Sequence, residues 1–144
     1  MAWPFSFSGD TRRTRLKIVR AFFAAVNACR QDEAASLLAD DFVMSDAGGS
    51  SIGRDGFLER DRRFRQIYGN PQIAIKQLSD SGGQILMTGH IDSNYEAVGG
   101  PILCRLLVRE GTICRIEVMR EGGLLTLSRF HPVKASQPSA AHPA

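Results

Sequence analysis

Along the first third of the chain, apolar residues recur at intervals of three and four. Leu16, Val19, Phe22, Phe23 and Val26 form one such stripe, the mark of a helix that lays one face on a core. Asp10 or Thr11 can cap this helix, which is expected to run to about Cys29. A short second helix over about Gln31 to Leu38 gathers Ala34, Leu37 and Leu38 on one side. The period then changes. From Asp41 to Asp46 apolar and polar positions alternate, as in a strand with one buried face, and AGGSSIG follows as a loop. A third helix starts near Arg54 and stops at Gly69-Asn70-Pro71, with Phe57, Phe64, Ile67 and Tyr68 as its apolar face. Beyond Pro71 the pattern is strand and tight turn: strands over about 72–79, 84–96, 102–109 and 112–120, joined by DSGG, AVGGP and REG. Helices first and an antiparallel meander after predict an α+β fold, three helices packed on one face of a strongly curved antiparallel sheet.

The last turn sets the facing of the strands. Arg109-Glu110-Gly111 reads as a three-residue hairpin loop, which pairs Val108 with Thr112. Ile102, Cys104, Leu106, Val108, Cys114, Ile116 and Val118 then share a wholly apolar, core-facing side. Leu103, Arg105, Leu107, Arg109, Ile113, Arg115, Glu117 and Met119 face outward. The same threading through Gly99-Gly100 turns Ile85, Met87, Ile91, Ser93 and Tyr95 inward, and His90, Asp92, Asn94 and Glu96 outward. His90 and Asp92 look like an acid–base couple. Their parity instead assigns them to cross-strand polar contacts or a dimer interface, unless a bulge inverts the strand. The outer set Leu103, Leu107, Ile113 and Met119 is too apolar for water, so burial in a homodimer is expected.

Composition narrows the remaining choices. The chain has 144 residues, 43% of them hydrophobic, which suits one domain with an ordinary core. The domain is expected over 11–130, after an extension at 1–10 and before a tail at 131–144. That tail, HPVKASQPSAAHPA, has a disordered composition, and its His131 and His142 carry no site. The net charge of +3 owes much to Arg12, Arg13, Arg15, Lys17 and Arg20, read as the wet face of the first helix. No aromatic-rich RNA-binding motif accompanies them, so no nucleic-acid partner is expected. Three cysteines without regular spacing argue against a disulfide framework and a zinc site. They read as reduced thiols of a cytoplasmic protein. No apolar run approaches a membrane span, and MAWPFSFSGD is not built like a signal peptide. AGGSSIG lacks the lysine of a phosphate loop. No metal, cofactor or membrane partner is expected.

Three N-terminal helices, a strand opened by Ala39-Asp40-Asp41, a Gly-Arg start to the third helix and the hairpin VREGTICRIEV form a familiar set. Over roughly Thr14 to Glu121 they resemble the nuclear transport factor 2-like superfamily, and within it the ketosteroid isomerase and SnoaL-like (polyketide cyclase-like) branch. The resemblance implies a cone, a curved sheet wrapped around a helix and enclosing an apolar pocket, often in a homodimer. It also implies a role for Asp46. Ala39 to Asp46 follows the steroid isomerase segment without a gap and sets Asp46 where that family has the aspartate that carries a proton between two substrate carbons. Phe42 and Met44 share its strand face. The two oxyanion-hole donors of the family fall on Phe22 and on Cys104 (or Leu103), and a supporting tyrosine falls on Asp61. None of these supplies the same hydrogen bond.

The expectation is therefore of a small apolar carbonyl compound in a pocket lined by Phe22, Val26, Phe42, Met44, Tyr95, Cys104 and Val118. Asp46 is either its proton-transfer base or an aspartate that only anchors the AGGSS turn. As a base dehydrated by Phe22, Phe42 and Met44, it should have a raised pKa. The alternatives are a binder without turnover, a dimeric protein-interaction module, and a limonene epoxide hydrolase-like enzyme. The last would use His90-Ile91-Asp92 as an echo of that family's Arg-x-Asp, with Glu117 as second acid.

Overall fold

The computed structural model describes residues 11–122 and 124–130. The N-terminal extension, Asp10 and the tail with His131 and His142 lie outside the described residues. Helix α1 (Arg12–Asn27) is capped by Thr11, whose hydroxyl accepts from the Thr14 N–H at 3.1 Å. It buries Val19, Phe22, Phe23 and Val26, as the stripe predicts, together with Ala25, while Leu16 is half-buried. Helix α2 (Gln31–Ser36) is shorter than expected, because Leu38 already belongs to strand β1 (Leu38–Asp46). The Gly-Ser loop holds a short strand, β2 (Ser51–Gly53), before helix α3 (Arg54–Ile67). Strands β3 (Gln72–Ser81), β4 (Gln84–Asp92), β5 (Gly100–Arg109) and β6 (Thr112–Met119) complete the order.

The strands form one six-stranded sheet in the order β2-β1-β6-β5-β4-β3. It is mixed rather than wholly antiparallel. Strand β1 lies parallel to β6, with Met44 beside Ile116 and Asp46 beside Val118, while the other pairs are antiparallel. Strand β3 carries a bulge between Ile75 and Gln77. There β4 places Gly89, at which a Cβ would collide with the Ala74 carbonyl oxygen.

The last hairpin differs from its predicted register in an instructive way. Glu110 (φ 53°) and Gly111 (φ 82°) both take the left-handed conformation of a two-residue turn. Val108 therefore pairs with Ile113, and Arg109 with Thr112. The register shifts between Leu107 and Val108, and Cys114 is the extra residue of that bulge. Ile113, expected outside, is fully buried. From Arg115 onward the predicted parity returns, so Leu106, Val108, Ile116 and Val118 are all in the core. On the outer face Arg105 sits opposite Glu117 with an ion pair of 2.7 Å. His90 and Asp92 are exposed, as their parity requires.

The concave face closes on α1 and α3. The rings of Phe22 and Phe42 each lie 5.8 Å from that of Phe57, and all three are buried. A final irregular segment, described over 120–122 and 124–130, crosses the end of this core. Phe130 seats its ring edge-on to Phe64 at 5.4 Å, and the Leu125 N–H donates to the Ala97 carbonyl at 2.8 Å.

Candidate functional site

Asp46 ends β1 with a side chain only 3% exposed. Oδ1 accepts from the Gly48 N–H at 2.9 Å and from the Ser50 N–H at 3.1 Å, closing the turn into β2. Oδ2 accepts from the hydroxyls of Thr126 at 2.8 Å and Ser128 at 3.1 Å, and pairs with Arg129 Nε at 2.8 Å. The carboxylate thus joins the β1–β2 turn to segment 120–130. Arg60 adds a second tie, donating to the carbonyls of Leu127 and Ser128.

Burial by itself pushes the Asp46 carboxyl pKa up. Hydrogen bonds from Thr126, the Ser50 N–H, Ser128 and the Gly48 N–H outweigh it and hold the group below its ordinary value. The raised pKa expected of Asp46 is reversed for this reason: its surroundings offer donors where the strand pattern promised only phenylalanine and methionine.

Behind this junction lies a cavity of about 70 Å³. Helix α1 supplies Phe22, Phe23 and Val26, and α3 supplies Phe57, Asp61, Phe64 and Arg65. The sheet contributes Met44, Ile73, Ile91, Ile102, Cys104, Ile116 and Val118, and the crossing segment contributes Arg120, Leu125, Thr126 and Leu127. Phe22, Val26, Met44, Cys104 and Val118 are therefore brought together as predicted. Asp46 is not on this wall. Phe42 is buried behind it, against Phe57. Tyr95, expected to line the pocket, is 48% exposed with its ring on Tyr68. Strand β4 stops at Asp92, so the alternation that pointed Tyr95 inward does not reach it. An apolar cavity of about 150 Å³ binds benzene. This one is smaller, and an aromatic ring enters it only if its side chains or the crossing segment give way.

Three charged residues on the wall, Asp61, Arg65 and Arg120, were not among the expected site residues. Asp61 is 1% exposed, and Arg65 Nε donates to both its oxygens at 3.1 and 3.2 Å. Gln31 adds a bond of 3.2 Å to Oδ2. Arg65 Nη1 also donates to the Asn70 side chain at 2.8 Å and to the Pro71 carbonyl. Desolvation raises the Asp61 pKa, and the charge and hydrogen bonds of Arg65 and the bond from Gln31 only partly offset it. The signal was present: Phe57, Asp61, Phe64 and Arg65 share one helical face, so an i,i+4 ion pair interrupts an apolar stripe.

Cys104 is a packing thiol. Burial pushes its pKa up to about 12, against the opposing charge of Arg120, so it holds no thiolate for attack. Among the described residues no cluster of three or more His, Cys, Asp or Glu is arranged to hold a metal. No described helix is long and apolar enough to cross a membrane.

A bent mixed sheet around α1 and α3, with an apolar cavity in the hollow, defines a protein of the nuclear transport factor 2-like class. Within that class the chain belongs to the SnoaL-like domain family, whose model matches residues 19–116, more than half of the sequence. No curated protein matches the chain. Solved structures agree on the fold. A putative ketosteroid isomerase from Kribbella flavida is 26% identical, with a TM-score of 0.65 over 78% of this chain and 82% of its own. A putative polyketide cyclase from Sinorhizobium meliloti is 18% identical, with a TM-score of 0.65 over 77% and 97%. A protein with a ketosteroid isomerase-like fold from Catenulispora acidiphila, solved in complex with trimethylamine, is 19% identical, with a TM-score of 0.64 over 81% and 95%.

Proposed function

We propose that this SnoaL-like chain binds a small, largely apolar molecule in its cone, and that Asp46 latches the crossing segment instead of carrying a proton. The observation that carries the reading is the saturation of Asp46. Both oxygens are occupied by donors, its pKa is lowered, and it does not line the cavity. A general base needs a free lone pair within reach of the substrate. The wall itself is apolar apart from Asp61, Arg65, Arg120 and Thr126. That lining suits shape-selected binding with few polar contacts. Methyl NMR during titration with cyclopentane tests it. Shifts confined to Met44, Ile102, Ile116 and Val118 are expected, and their loss in the filled variant Val118→Phe. No shift at millimolar probe would refute the reading.

A second reading has one observation in its favour. Asp61 is a buried wall carboxyl with a raised pKa, the condition suited to an acid–base group. In that case the family's proton-transfer chemistry on an apolar carbonyl compound passes to α3, and Asp61→Asn abolishes turnover. For either reading we propose a homodimer through the outer sheet face. There Leu103, Leu107 and Met119 are only half-buried and Leu86 is 40% exposed.

A further inference from the structure

Three charged side chains face the cavity: Asp61, Arg65 and Arg120. The first two neutralise one another. Arg120 is different. Its Nε donates to the Pro101 carbonyl at 2.9 Å, Nη1 to Leu125 at 3.0 Å and Nη2 to Val98 at 2.7 Å. These carbonyls fix the plane of the guanidinium but carry no net charge. Among the described residues Arg120 forms no ion pair, whereas Arg15, Arg65 and Arg129 each have an aspartate. A guanidinium has five N–H groups. Three bonds leave one unassigned on each terminal nitrogen, and guanidinium N–H groups taken in pairs grip a carboxylate in a forked contact.

The neighbouring wall does not supply the missing negative charge. Cys104 stays a neutral thiol, and Thr126 spends its proton on Asp46. Desolvation lowers the Arg120 pKa, so partial burial of the positive charge carries a cost. An anion at the cavity end would relieve that cost.

We infer that the cavity selects small apolar acids in their ionised form, the carboxylate held by Arg120 and the hydrocarbon part enclosed by Ile102, Ile116, Val118 and Phe22. The inference deepens the binding reading above and rests on it. With about 70 Å³ available, short branched carboxylates fit first, and aromatic ones require the segment 120–130 to yield.

Matched pairs of probes test it on the intact chain. Isobutyrate and isobutyramide have nearly the same shape and differ in charge, as do benzoate and benzamide. Methyl NMR titrations at pH 7 should show isobutyrate binding at least tenfold more tightly than isobutyramide. The preference should vanish in Arg120→Gln and survive in part in Arg120→Lys. If Arg120→Gln fails to fold, the wild-type comparison still decides. Equal affinity for the two members of both pairs, with cyclopentane bound, would overturn the inference and leave the cavity reading standing. Failure of every probe, cyclopentane included, would overturn both.

Discussion

Replacing Asp46 with alanine removes the shared acceptor of five donors. The cost follows from where each donor sits. Thr126 and Ser128 are buried, and without Asp46 one hydroxyl can still donate to the other at 3.4 Å while the second loses its acceptor. An orphaned buried donor costs about 1–3 kcal/mol. The Gly48 and Ser50 N–H groups lie on an accessible turn and regain water. Arg129 is half-exposed, and its ion pair adds roughly 0–1 kcal/mol. For a domain of this size 1 kcal/mol lowers the Tm by roughly 3–4 °C, so a fall of at least about 3 °C is expected. Urea denaturation followed by circular dichroism measures the first quantity and a thermal melt the second. Limited trypsin digestion adds a local readout, since release of the crossing segment should speed cleavage at Arg120 and Arg129. Asp46→Asn keeps the shape and one acceptor oxygen and should fall between wild type and Asp46→Ala. A variant Asp46→Ala within about 2 °C of wild type, with unchanged digestion, would refute the latch. A proton carrier would instead show Asp46→Asn stable and inactive.

Other expectations follow from the same contacts. The Asp46 and Asp80 pKa values are both lowered, despite burial, by donors that include Thr126 and Arg15 respectively. Their contributions are therefore complete above the unfolded carboxyl value of about 3.9 and are lost as pH falls through the folded values. Asp61, raised by desolvation, works in the opposite sense, its contribution present at low pH and lost as pH rises through its folded value. Acid titration of stability should thus fall less steeply in Asp46→Ala than in wild type. Arg65→Met strands a buried carboxylate and should cost about 3–5 kcal/mol, whereas the double variant Asp61→Leu/Arg65→Met should recover most of it in urea melts. Leu107→Glu should convert a dimer to monomer in sedimentation velocity, and a wild-type chain that is monomeric at micromolar concentration would remove the proposed interface.

Much of the fold was legible because its signals are local. The stripe Leu16 to Val26 and the alternation Phe42, Met44, Asp46 each state which side is buried, and the structure agrees. The misreadings are of two physical kinds. One is a single residue of turn length. A two-residue turn and a bulge at Cys114 carried Ile113 inside, and an early end to β4 left Tyr95 outside. The other is distance along the chain. The parallel pairing of β1 with β6 leaves no mark in either strand. The hydroxyls that satisfy Asp46 come from 80 and 82 residues further on. Alternation showed that Asp46 points inward, and nothing in it showed what waits there. Asp61 and Arg65 were readable as a charged pair in an apolar stripe, although a likeness to a family member directed attention to β1 instead.

On the proposed reading the acid at the end of β1 is a latch, while the acid of the cavity wall lies on α3. A carboxyl-carbon NMR titration, with Asp46 and Asp61 assigned, tests it in one experiment. Asp46 is expected to titrate below the ordinary aspartate value of about 3.9 and Asp61 above it. Asp46 titrating above that value, and shifting further when an apolar ligand is added, would contradict the account and restore Asp46 as the acid of the pocket.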